Sequence, residues 1–254
     1  MWKGGIASVR IVSWNIRAGG GTRAAAIGSQ IERWAPDVVG LCEFRATPPS
    51  TGVAARLKEM GLVYQVSTAD PAVPRRNSLL LAARFPLRTL ALRRTPAEPG
   101  RWCMAMVGAG RPFIVGLMHV PVVATGRKVS FMEAVTAIAT RWRHAPAVLL
   151  GDTNAGWPPL DEQRPTFGPQ TVAWLDGLHA LDWQDAFRQA HPGERTYTWY
   201  SQKQNGVRLD QAFLNPAMQP RLRAIKYEWG RTGAEEGRRD AVSDHAALIL
   251  DLND

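Results

Sequence analysis

Eight polar side chains stand at the ends of apolar runs, or inside them, along this chain. Asn15 follows Ile11-Val12-Ser13-Trp14, and Glu43 follows Val38-Val39-Gly40-Leu41-Cys42. His119 follows Ile114-Val115-Gly116-Leu117-Met118, while Asp152 and Asn154 follow Val148-Leu149-Leu150-Gly151. Asp244 and His245 directly precede the run Ala246 to Leu250, and Asp210 lies within Arg208 to Leu214. A carboxylate at the mouth of a strand must be paired, hydrogen-bonded or bound to metal, because burying it alone is costly. Glu, Asp and Asn oxygens together are the ligand chemistry of a hard cation such as Mg²⁺. Taken singly, each residue also fits a plainer role: Asp152 an Asx-turn, Asn15 a loop acceptor, His119 a satisfied core histidine. Their recurrence at one kind of position points instead to a shared site.

The elements that must carry them are short and rich in Val, Ile and Leu. Strand-length runs cover Val9–Trp14, Val38–Cys42, Ser78–Ala82, Phe113–Met118, Ala147–Leu150, Arg208–Leu214 and Ala246–Leu252. Continuous apolar strands suit sheets covered on both faces. Between them, apolar residues recur at helical spacing in Ala24–Trp34, Ala54–Met60, Lys128–Trp142 and Thr171–Leu181. Gly19–Gly21, Pro48-Pro49, Pro71–Pro74, Pro96–Gly100 and Trp157–Pro169 mark loops. The glycine run lacks the Lys-Ser/Thr ending of a phosphate loop and reads as a plain turn. Strands alternating with helices predict one α/β domain over residues 1–254, with two sheets packed between helices.

Composition narrows the partners. The chain has 31 Lys plus Arg against 22 Asp plus Glu, a formal charge of +9 over 254 residues. Such a surface draws polyanions, with nucleic acid or an acidic membrane face foremost. No apolar run approaches the roughly 20 residues that span a bilayer, and Met1–Arg17 lacks the pattern of a signal peptide. Two cysteines, Cys42 and Cys103, both in apolar segments, fit a reducing compartment and exclude a disulfide scaffold. A cytoplasmic monomer is expected.

In Ser13-Trp14-Asn15, Asp37 to Glu43, Gly151-Asp152-Thr153-Asn154, Arg208-Leu209-Asp210 and Ser243-Asp244-His245, the sequence resembles the endonuclease/exonuclease/phosphatase superfamily, with the DNase I-like fold. The stretch from Gly151 to Pro216 is most similar to exonuclease III-type apurinic/apyrimidinic endonucleases. It carries Phe167-Gly168-Pro169, Trp174, Asp185-Ala186-Phe187-Arg188 and Tyr197-Thr198-Trp199 in order. The resemblance implies a four-layer α/β sandwich and a divalent-metal DNA phosphodiesterase using Mg²⁺, with Mn²⁺ as the substitute. Glu43 would be the principal metal ligand, assisted by Asn15 and Asp244. Asp152 would align or deprotonate the attacking water, and Asn154 would hold that water or a phosphate oxygen. His245 would contact the scissile phosphate with its ring held by Asp210. His119 stands where exonuclease III-type chains carry Tyr, and is more similar to DNase I and the sphingomyelinase-like branch.

For the substrate, Arg17, Arg45 and Lys128 lie nearest the motifs among the many arginines and lysines, and Arg208 belongs to the Arg-Leu-Asp segment. Trp199 and Leu209 are expected to wall a sugar pocket, with Val207 where a bulkier aromatic is usual. Trp157 and Tyr200 are further aromatics placed to stack on bases. The expected activity is hydrolysis of DNA, 5′ to a lesion or at 3′ ends. A DNase I-like non-specific endonuclease, or a phosphodiesterase or phosphatase acting on a lipid or small-molecule phosphate, is the alternative. No membrane partner is expected.

Overall fold

The computed structural model describes residues 8–92, 94–231, 238 and 241–254. Residues 1–7, part of the segment read as lacking a signal peptide, lie outside the described residues. Strands β1 (Ser8–Asn15), β2 (Val38–Phe44), β3 (Tyr64–Ser67) and β4 (Ser78–Ala83) are joined late in the chain by β13 (Leu222–Glu228) and β14 (Ala247–Asn253). They form one sheet in the order β13-β14-β1-β2-β4-β3. The second sheet runs β5 (Leu87–Thr89), β6 (Trp102–Val107), β7 (Phe113–His119), β8 (Ala147–Asp152), β12 (Asp210–Leu214), β9 (Gln184–Asp185). A small ribbon pairs β10 (Trp199–Tyr200) with β11 (Gly206–Val207).

Each sheet holds one parallel pair at its centre, β1 with β2 and β7 with β8. A helix makes each crossover, as parallel neighbours require: α1 (Ala24–Trp34) in the first case, α3 (Lys128–Arg141) in the second. Helix α2 (Pro48–Glu59) packs beside α1, and α4 (Pro169–Ala180) beside α3. A short α5 (Ala186–Ala190) precedes the ribbon.

Alternating side chains of the same strand feed different cores. Ile11, Val38, Leu81, Val115, Leu117, Val148, Leu150 and Leu250 meet between the two sheets. Val12, Val39, Leu41, Leu80 and Ile249 instead meet Ile27, Ile31, Val53 and Leu57 of α1 and α2. Ile114, Met118 and Leu149 meet Phe131, Val135, Trp174 and Leu178 of α3 and α4. Three cores between four layers explain why the strands read as continuous apolar runs: both faces lose water, each buried aliphatic contributing about 1.5–3 kcal/mol. The four-layer sandwich expected from the sequence is the fold observed.

Two local expectations are corrected. Pro48-Pro49, read as a loop, opens α2; proline's fixed φ and missing N–H are harmless in a first helical turn. Strand β6, Trp-Cys-Met-Ala-Met-Val, lacks the β-branched signature and was not anticipated.

Candidate active site

The expected residues fall into two facing rows, one on each sheet. On the second sheet His119, Asp152 and Asp210 are register partners across β7, β8 and β12. On the first sheet Asn15 ends β1, Glu43 lies near the end of β2, and Asp244 and His245 lead into β14. Two hydrogen bonds join the rows: Asn15 Nδ2 donates to Asp152 Oδ2 at 3.0 Å, and His245 Nδ1 lies 2.9 Å from Asp210 Oδ2. Asp152 Oδ2 is also 3.6 Å from His119 Nε2 and 4.0 Å from His245 Nε2. Asp152, Asp210, His119, His245 and Asn15 are all buried.

The backbone is bent to deliver these groups. Glu43 sits at a register shift between β2 and β4 with φ 58°. That turns its carboxylate toward Ala18 N (2.7 Å, to Oε2) and Asn15 Nδ2 (3.4 Å, to Oε1). Arg17, Ala18 and Asn154 also have positive φ. Left-handed backbone at non-glycine residues costs of order 1 kcal/mol each and collects where function over-determines it. Gly151 is needed on other grounds: φ is 137° and a Cβ there would meet Met118 O at 1.9 Å. A side chain would push β8 off β7 one residue before Asp152.

Electrostatics divide the two imidazoles. Burial alone would lower the pKa of His245, but Asp210, with Asp152 and Asp244 behind it, outweighs burial and lifts it to about 9. His119 lacks such a partner; burial pushes it down to about 4, against the pull of Asp152. Asp152 is raised by burial and by Asp210, while both histidines and Asn15 oppose the rise. The surroundings thus favour the protonated form of His245 and the neutral form of His119, both close to Asp152.

Asp244 and Glu43 line the same cavity, and Asp244 Oδ1 is buried with no hydrogen-bond partner among the described residues. An orphan carboxylate oxygen beside a second carboxylate fits Mg²⁺, which is commonly held by one or two carboxylates and completes its shell with water and phosphate. Among the described residues no three His, Cys, Asp or Glu side chains form a metal-holding group. Asn15 braces the carboxylates: its amide nitrogen bridges Asp152 and Glu43, and its Oδ1 accepts from Arg17 N at 3.0 Å, with a second lone pair left for a cation.

The cavity, of about 480 Å³, has an acidic-imidazole floor and an apolar flank of Phe167, Trp199, Val207 and Leu209. Lys128 reaches its wall, where Nζ donates to Asn154 O at 2.6 Å. Asn154 Nδ2 donates to Val120 O. Arg17 lies beside the cavity in an adjoining recess, 3.8 Å from Asp244. Arg45 does not line the cavity; its Nε donates to Asn77 Oδ1. Arg208 contradicts its expected contact with substrate. It is fully buried, bidentate to Asp161 at 2.8 Å and paired with Asp185 at 2.6 Å, and those charges hold its guanidinium inside. Trp157 lines a separate cavity, with Nε1 bonded to Asp176.

Several positioning groups escaped the sequence reading. Thr198 Oγ1 accepts from the amides of Leu209 and Asp210, and Tyr227 Oη donates to Asp210 O at 2.7 Å. Ser243 Oγ donates to Asn15 O at 2.6 Å and ties the segment before His245 to β1. Hydroxyls of this kind carry no spacing signal. Ser243 and Thr198 stood inside quoted motifs, which was the available clue.

Two β-sheets packed between helices thus bring carboxylates and a carboxylate-held imidazole to their shared rim. The chain belongs to the Endonuclease/Exonuclease/phosphatase family, whose model matches residues 12–245. Sequence comparison with curated proteins finds no match. Among solved structures it is similar to the 3′ phosphatase NExo from Neisseria bound to a product DNA hairpin: TM-score 0.78, 22% identity, 96% of this chain and 99% of that one. It is likewise similar to an AP endonuclease from Archaeoglobus fulgidus (0.78, 20%, covering 95% and 98%). The AP endonuclease LMAP from Leishmania major also matches (0.76, 15%, covering 98% and 88%). At these identities the likeness is one of fold.

Proposed function

We propose that this protein is a divalent-metal-dependent DNA phosphodiesterase of the exonuclease III type, acting as a monomeric single domain. One observation carries the reading. Asp152 accepts from Asn15 and lies 3.6 and 4.0 Å from the Nε2 atoms of His119 and His245, in a cavity that also presents Glu43 and Asp244. Asp152 aligns the attacking water and accepts its proton; burial raises its basicity while the neighbouring His245 keeps it ionised. His245, protonated up to about pH 9, directs its free Nε2 face at the phosphate and offsets charge growing on its oxygens. Asp210 fixes the ring plane of His245 and stabilises its protonated form. His119, neutral at ordinary pH, adds a second hydrogen-bonding imidazole without competing for the charge. Asn154, fixed through Val120 and Lys128, helps hold the water or a phosphate oxygen. A divalent cation held by Glu43 and Asp244 would neutralise phosphate charge as a Lewis acid.

The formal charge of +9 and the likeness to DNA-repair structures support a DNA substrate. Among the described residues no helix is long and apolar enough to cross a membrane. His119 favours a second reading, hydrolysis of a small or lipid phosphate ester. A duplex with one abasic-site analogue separates the two. Incision 5′ to the lesion that requires Mg²⁺ or Mn²⁺ and stops with chelator supports the first. Turnover of small phosphate esters with intact DNA supports the second.

A further inference from the structure

A second recess lies one strand beyond the catalytic rows. It has a volume of about 390 Å³ and is lined by Arg76, Asn77, Glu98, Arg101 and Arg127 among others. Its position follows from topology. Asn77 leads into β4, the neighbour of β2, and Arg101 leads into β6, the neighbour of β7. The recess therefore continues the rim that carries Glu43 and His119, roughly 10 Å from Asp152 if two strand spacings are counted. One hydrogen bond and one chain adjacency tie it to the site: Arg101 Nη1 donates to His119 O at 3.5 Å, and Arg127 immediately precedes Lys128, which lines the catalytic cavity.

The charge balance is one-sided. Glu98 is the only carboxylate among the lining residues, and it is shared between Arg101 (3.0 Å) and Arg127 (3.3 Å). That sharing holds two guanidiniums at the wall and leaves the recess with a surplus of positive charge. Arg76 is exposed, and among the described residues no carboxylate pairs with its guanidinium. Long cationic side chains held beside open space with donors unspent suit an anion that arrives from solution. Guanidinium forks match phosphate oxygens in particular.

We infer that this recess is a backbone-phosphate subsite. It binds the phosphodiester of a nucleic-acid strand one or more nucleotides away from the scissile bond, on the β4–β6 side. The inference rests on the proposed DNA substrate and adds which strand path the protein uses. A substrate long enough to reach the recess gains affinity there, whereas a short phosphate ester does not.

Fluorescence anisotropy of a labelled duplex in chelator, across a salt series, tests this without requiring turnover. Arg76→Ala and Arg127→Ala are each expected to raise Kd by roughly 3- to 10-fold and to lower the slope of log K against log salt by about one. Arg76→Glu raises Kd further. Hydrolysis of bis(p-nitrophenyl) phosphate with Mn²⁺ stays unchanged in the same variants. Duplexes with and without terminal phosphates respond alike if the backbone is the ligand; a response confined to phosphorylated ends would overturn the backbone assignment. Unchanged Kd and slope in all three variants, with wild-type binding intact, would overturn the inference alone. A wild-type protein that binds no DNA would overturn the proposed substrate and the subsite with it.

Discussion

His245 Nδ1 and Asp210 Oδ2 are 2.9 Å apart, both side chains buried, on segments from opposite sheets of the sandwich. The pair closes the gap between the layers at the one rim where the polar residues gather. It also favours the protonated form of His245, because Asp210 opposes the burial that would otherwise favour the neutral ring.

Asp210→Asn removes that charge while keeping shape. Turnover is expected to fall by about 10²–10⁴-fold. In the wild type, activity falls as pH rises through about 9, where His245 loses its proton. Without Asp210 burial dominates, so the alkaline limb moves to lower pH by one unit or more. A pH–rate profile of the two proteins reads this directly. An unshifted limb would assign it to another group.

Metal holding has a readout independent of turnover. Mg²⁺ added to the chelated protein is expected to raise Tm, since ligand binding to the folded state stabilises it by about 2.7 kcal/mol at a hundredfold excess over Kd. Glu43→Gln with Asp244→Asn should abolish the shift. If the double variant keeps it, the ion sits elsewhere.

His119 makes an acid-side prediction. Its folded pKa of about 4 lies below the unfolded value near 6.5, so the neutral ring contributes stability that is present above pH 6.5. That contribution is lost as pH falls from there through about 4. His119→Asn should therefore flatten the decline of Tm between pH 6.5 and 4. Circular dichroism melts across that window would show it, and parallel declines would remove His119 from the account.

Arg208 is predicted to matter for folding and not for substrate contact. Arg208→Ala leaves Asp161 and Asp185 buried without their shared cation, a loss of about 3–5 kcal/mol. A lowered urea midpoint is the expected result. Normal stability with raised KM would restore Arg208 to the substrate surface.

The Arg208 outcome shows where sequence reading stops. An arginine in the site motif looks like a phosphate contact, but its role is decided by Asp161 and Asp185, 47 and 23 residues away, and nothing in the local pattern announces them. The fold was more legible. Ile11 and Val12 face different cores, so a strand covered on both sides writes itself as an uninterrupted apolar run. Strand β13 hides for the opposite reason: at the sheet edge it alternates exposed Arg223, Ala224 and Lys226 with buried Ile225. Glu43, Asp152 and His245 were visible because a carboxylate or imidazole at the end of such a run is a costly choice. Asn15 was visible as a site residue, yet which atoms it offers depends on Arg17 N and Asp152, and only coordinates supply that.

The sharpest test is duplex cleavage in ¹⁸O-labelled water with Mg²⁺, comparing wild type with His245→Ala. Wild type should place one labelled oxygen on the 5′-phosphate of each new end and leave a 3′-hydroxyl, with the variant slower by orders of magnitude. Equal cutting by the variant, or no cutting by wild type with either Mg²⁺ or Mn²⁺, would contradict the assignment of this rim as a DNA-hydrolysing centre.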